Sequence, residues 1–153
     1  MAIDTDILAL YLVTDPDLCA KFGLIETVQA AVAGGVSIVQ LRDKYASTAQ
    51  LISKAKALQP ILASYNVPLI INDDVEAAIA CDADGIHVGQ DDLDVVRVRQ
   101  QVGPDKIVGL SVETVEAALQ VDAGIVDYVG ISPIFATQTK GDHKPPVGFD
   151  GLA

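Results

Sequence analysis

At 153 residues, half of them hydrophobic and a fifth charged, the chain has ample apolar material for one core and is unlike a disordered polymer. Its 10 Lys and Arg against 21 Asp and Glu leave a net charge of −11, which argues against nucleic acid, whose phosphates demand a basic surface. No apolar stretch approaches the roughly 20 residues of a membrane span, Met1-Ala2-Ile3-Asp4-Thr5-Asp6 is acidic where a signal peptide would be basic, and Cys19 and Cys81 show no metal-site spacing, so the cytoplasm is the expected compartment.

Taken in chain order, the first apolar run, 8–13, predicts a strand that stops at Thr14-Asp15. Ile25, Val28, Ala31 and Val32 follow at helical spacing. The second run, 36–39, passes into Gln40-Leu41-Arg42-Asp43-Lys44, and Leu51, Ile52, Ala55 and Leu58 mark the next helix. Run 67–71 ends at Asn72-Asp73-Asp74, and run 85–88 ends at Gly89-Gln90-Asp91-Asp92. Run 106–110 ends at Ser111, and run 126–131 ends at Ser132-Pro133. Six β-like runs that stop at polar clusters and feed helices predict a parallel α/β fold, whose strand ends open onto one face and gather those polar residues there. No linker or low-complexity tract interrupts the rhythm, so residues 1–153 read as a single domain. The long polar stretch 133–148 is expected to be a lid or binding loop, with an ordinary surface loop as the alternative.

Several residues carry chemistry. Asp73 and Asp92 follow neighbouring strands and suit a Mg²⁺ that keeps several waters and takes substrate phosphate oxygens, although an Asp just past a strand is most often a helix N-cap, as Asp74 and Asp91 are expected to be. Arg42 and Lys44 make a diphosphate clamp, or else a salt bridge to Asp43 or Asp15. Gln40, at an inward strand position, must find a partner when buried. Asn72 serves a ligand or its own turn. Thr137-Gln138-Thr139-Lys140 offers hydroxyls and an ammonium in one turn. His87 reads as a satisfied interior histidine, and Ser111 has neither a nearby base nor a nucleophile elbow in the sequence, which disfavours a serine nucleophile. An acidic chain that places Arg42, Lys44, Lys140 and Lys144 at strand ends and in the last loop suits an anionic small molecule.

Together, Gln40-Leu41-Arg42-Asp43-Lys44, Asn72-Asp73-Asp74, Gly85-Ile86-His87-Val88-Gly89-Gln90-Asp91-Asp92, Gly109-Leu110-Ser111, Asp127-Tyr128-Val129-Gly130 and Thr137-Gln138-Thr139-Lys140 resemble the thiamine-phosphate synthase family in order and spacing. The resemblance implies a TIM (β/α)8 barrel of which this chain carries about the first six units, with the natural protein continuing past Ala153, since such a barrel takes about 200 residues or more. It implies a Mg²⁺-dependent transferase that joins hydroxymethylpyrimidine diphosphate to a thiazole phosphate, giving thiamine phosphate and pyrophosphate. Gln40, Arg42, Lys44, Asn72, Ser111 and Lys140 would then hold the pyrimidine diphosphate, with Arg42, Lys44, Ser111 and Lys140 the catalytic set. Asp73 and Asp92 would carry Mg²⁺, and Thr137 and Thr139 the thiazole phosphate. The alternatives are a thiazole tautomerase-like relative, a non-catalytic phosphate-ligand binding domain, and, more remotely, a Schiff-base aldolase using Lys44. Edge strands left unpaired by six units predict self-association.

Overall fold

The computed structural model describes residues 3–89, 94–136 and 145–152. Six strands, β1 (Tyr11–Val13), β2 (Ile38–Leu41), β3 (Leu69–Asn72), β4 (Gly85–Val88), β5 (Ile107–Val112) and β6 (Tyr128–Ile131), pair in sequence order, and every pairing is parallel. Between them run helices α1 (Pro16–Cys19), α2 (Leu24–Ala33), α3 (Thr48–Tyr65), α4 (Val75–Ala80), α5 (Val95–Val102) and α6 (Val115–Leu119). The product is a curled, parallel α/β half-barrel.

Side-chain alternation along the strands separates two environments. Val39, Leu41, Leu69, Ile71, Ile86, Val88, Val108 and Leu110 face the helices and pack with Val28, Leu51, Ala55, Leu58, Ala77 and Val98 into one core. The intervening positions face the concave side, where Ile38 and Ile70 are fully buried beside the polar residues Gln40 and His87. Helix starts are fixed by side-chain caps on their otherwise unpaired N–H groups: Asp15 for α1, Ser47 with Gln50 in a reciprocal box for α3, Asp74 for α4, Asp94 for α5 and Thr114 for α6. Asp74 is thus the expected cap, while Asp91 lies outside the described residues.

Most strand boundaries shift slightly from expectation, β2 for instance to Ile38–Leu41 from 36–39, and two of the shifts have a clear physical cause. The apolar run 8–13 is strand only from Tyr11, because Asp4 caps a 3-10 turn over Thr5–Leu8 and Ser37 Oγ takes the Leu10 amide at 2.8 Å. The fifth strand runs past Leu110 to Val112, so Ser111 is a strand residue rather than a loop residue. Its partner across the ladder is Gly130. The flanks of the 133–148 stretch are tied together by Val147 N donating to Pro133 O at 3.0 Å, Gly148 N donating to Ile134 O at 3.2 Å, and an edge-to-face contact of Phe135 with Phe149. Its central residues, 137–144, lie outside the described residues.

Candidate active site

The C-terminal strand ends surround a cavity of about 490 Å³, a size suited to a small-molecule ligand. Its wall includes Gln40, Arg42, Asn72 and Ser111, four residues singled out by sequence, together with His87, Thr14, Tyr11 and Tyr128.

Arg42 is held from the backbone upward. Thr14, which is 2% exposed, accepts the Arg42 amide at 3.0 Å and donates to the Arg42 carbonyl at 3.2 Å, while its own amide reaches Gln40 O at 2.9 Å. The guanidinium lies 3.6 Å from Asp15, so the plainer salt-bridge reading is present, at a separation longer than a strong bidentate pair. Asp43 turns the other way, pairing with Lys54 and taking the Tyr45 amide at 3.0 Å. The Lys54 ammonium holds the Asp43 carboxyl below the usual carboxylate range. Because β2 ends at Leu41, Arg42 and Lys44 project from a loop rather than alternating on a strand, and Lys44 is exposed there.

Gln40 is 4% exposed and donates from Nε2 to Tyr11 OH at 2.9 Å, the partner its burial demands. Asn72 donates to Asp73 Oδ2 at 2.6 Å, and Asp73 adopts a left-handed φ of 62° with its amide on His87 O at 2.9 Å. Asp73 thus stands between β3 and α4 and reaches the cavity only through Asn72, which lines it. Among the described residues no group of three or more His, Cys, Asp or Glu gathers as a metal cage. The Asp73 carboxylate, one residue from the lining residue Asn72, is a donor of the kind Mg²⁺ takes, since that ion is commonly held by one or two carboxylates plus substrate phosphates. Asp92, Thr137, Thr139, Lys140 and Lys144 lie outside the described residues.

His87 is satisfied, as expected: Nδ1 lies 3.0 Å from Tyr128 OH and Nε2 lies 2.8 Å from Ser111 Oγ. The expectation that Ser111 has no base nearby is therefore corrected, since the fold brings an imidazole from 24 residues away onto its hydroxyl. The sequence alone assigns no role to Tyr11 or Tyr128. Their signal was an inward position on an otherwise apolar strand, where a buried phenol needs a polar partner. They find each other at 2.6 Å, and burial pushes both phenols above their ordinary pKa.

The family model for thiamine monophosphate synthase matches residues 10–153. The chain belongs to the thiamine monophosphate synthase family. It is 52% identical over 95% of its length to the thiamine-phosphate synthase of Azorhizobium caulinodans, and 49% identical over 97% to that of a Psychrobacter species, spanning 69% and 70% of those relatives. The thiamine phosphate pyrophosphorylase structure from Pyrococcus furiosus superposes with a TM-score of 0.83 at 31% identity, covering 96% of this chain and 68% of that one. A 2,3-dimethylmalate lyase shares the fold alone, with a TM-score of 0.59 at 14% identity. The family match takes in every residue that lines the cavity except Leu8.

Proposed function

We infer that the chain is a thiamine-phosphate-forming transferase whose substrates are hydroxymethylpyrimidine diphosphate and a thiazole phosphate, with pyrophosphate as the second product. The observation that carries this reading is the convergence of Gln40, Asn72 and Ser111, from β2, β3 and β5, and of Arg42, from the loop after β2, on one cavity in a chain of this family. The six units are read as the first six of a (β/α)8 barrel, in one domain acting in the cytoplasm. Among the described residues no helix is long and apolar enough to cross a membrane.

In a dissociative transfer, the bond from the pyrimidine methylene to diphosphate breaks first and the thiazole nitrogen captures the resulting cation. The demand on the protein is stabilisation of the departing diphosphate rather than a nucleophile. Arg42 supplies a planar fork for phosphoryl oxygens, Lys44 a second charge on the same loop, and Ser111 a hydroxyl on the cavity wall. Lys140 adds a third cation by resemblance, Gln40 and Asn72 orient the pyrimidine, and Thr137 with Thr139 take the thiazole phosphate. Asp73 and Asp92 would hold Mg²⁺, which when bound neutralises charge developing on the leaving group.

Steady-state formation of thiamine phosphate and pyrophosphate tests the reading. Arg42→Lys keeps charge and loses the fork, so kcat should fall by on the order of 10- to 100-fold, the value of one charge-assisted hydrogen bond, with KM changing less. Asp73→Ala should sharply lower the Mg²⁺-dependent turnover. Variants with unaltered kcat and metal dependence would remove both assignments.

A further inference from the structure

A continuous hydrogen-bond relay crosses the concave face from β2 to β5. Gln40 Nε2 reaches Tyr11 OH at 2.9 Å, Tyr11 OH lies 2.6 Å from Tyr128 OH, Tyr128 OH lies 3.0 Å from His87 Nδ1, and His87 Nε2 lies 2.8 Å from Ser111 Oγ. No side-chain N or O atom buried among the described residues lacks a partner.

The relay has a direction, set at its Gln40 end. An amide nitrogen only donates, and each phenol carries one proton. With Gln40 donating to Tyr11, Tyr11 gives its proton to Tyr128, and Tyr128 gives its own to His87 Nδ1. An Nδ1 that accepts belongs to the neutral imidazole with its proton on Nε2, which then donates to Ser111 Oγ. The reverse polarity would have Tyr11 oxygen receive protons from both Gln40 and Tyr128 and strand the Tyr11 proton without an acceptor in the relay. Burial keeps both phenols protonated, as either polarity requires.

We propose that Gln40, Tyr11 and Tyr128 are positioning residues that hold His87 as the Nε2–H tautomer, so that Ser111 presents its own proton to the cavity as a donor to an anionic phosphoryl oxygen. This deepens the transferase reading and rests on it for the identity of the anion. It also assigns the Ser111–His87 contact. An imidazole whose Nε2 already carries a proton cannot take the serine proton, so the pair is a donor device and not a nucleophile with its base.

The tautomer is read directly from long-range ¹H–¹⁵N correlation spectra of the ¹⁵N-labelled full chain, without ligand, at about pH 8, where an ordinary imidazole is neutral. His143→Gln assigns the signals, since the chain has two histidines. His87 should show a protonated Nε2 and a bare Nδ1, in about tenfold excess or more, as one hydrogen bond to Nδ1 suffices to impose. Tyr128→Phe removes that bond, and the excess should drop several-fold. Tyr11→Phe leaves Tyr128 in contact with His87 but removes what sets the direction of that bond, so the excess should fall there too, by less than in Tyr128→Phe; an unchanged ratio overturns the part assigned to Gln40 and Tyr11. A proton on Nδ1 in the unsubstituted protein, or an unchanged ratio in Tyr128→Phe, overturns the relay. Titration with pyrophosphate then separates the two claims. Weaker binding in Ser111→Ala supports the donor role, equal binding overturns it, and failure of the unsubstituted chain to bind counts against the transferase reading whatever the tautomer.

Discussion

Gly109 of β5 sits between Tyr128 of β6 and His87 of β4, and a Cβ there would lie 2.1 Å from the Tyr128 ring and 2.6 Å from His87 Nδ1. Both neighbours are tied by hydrogen bonds, so neither can step aside without breaking the relay. Gly109→Ala should therefore cost about 1–3 kcal/mol of stability, as overpacking does, measured by urea unfolding, and should depress turnover as well. Unchanged unfolding would contradict the packing described. At this scale the sequence disclosed one class of site residue and hid another. Gln40, Arg42, Asn72 and Ser111 were legible because each interrupts or follows an apolar run at a strand end. Tyr11 and Tyr128 were not, because an inward phenol on an apolar strand signals only that it needs a polar partner, and the partner lies 117 positions away.

Among the elements, the loop from β2 to α3 is the one that aims the cations. It is pinned at one side by Thr14 and at the other by Asp43, whose side chain is 9% exposed and pairs with Lys54 on α3. Lys54→Met would leave that carboxylate without its ammonium. The Lys54 side chain is 38% exposed and its charge partly screened, so the expected loss is about 1 kcal/mol rather than the larger cost of breaking a fully buried pair. Asp43 has a depressed pKa in the folded chain. Its contribution is thus present above the ordinary carboxylate value of about 4 and is lost as pH falls through the lower folded value. The stability gap between the native chain and Lys54→Met should persist at neutral pH and close in acid; a gap independent of pH would refute the pair's role. The run-and-stop pattern located all six strands, yet it misjudged the start of β1 and the end of β5. A serine hydroxyl and an aspartate cap, not hydrophobicity, decide the first. Parallel pairing with β6 decides the second.

For the whole molecule, the parallel order and the shared face of the polar clusters followed from the repeat of strand, polar stop and helix. The sheet ends at β1 and β6 among the described residues, and apolar side chains stand exposed near both ends: Leu10, Val13 and Phe22 at one, Val129, Phe135 and Phe149 at the other. Backbone edges flanked by such surface template pairing with another chain. Sedimentation velocity on the 153-residue chain should show self-association that grows with concentration, and a single monomeric species throughout would contradict this expectation. The central claim, that the cavity at the strand ends holds a pyrimidine diphosphate through Arg42, is tested most directly by calorimetric titration of hydroxymethylpyrimidine diphosphate with Mg²⁺ into this chain and its Arg42→Ala variant. Saturable one-site binding that the substitution weakens by at least about tenfold is expected; no saturable binding, or the same affinity in both proteins, would contradict the claim.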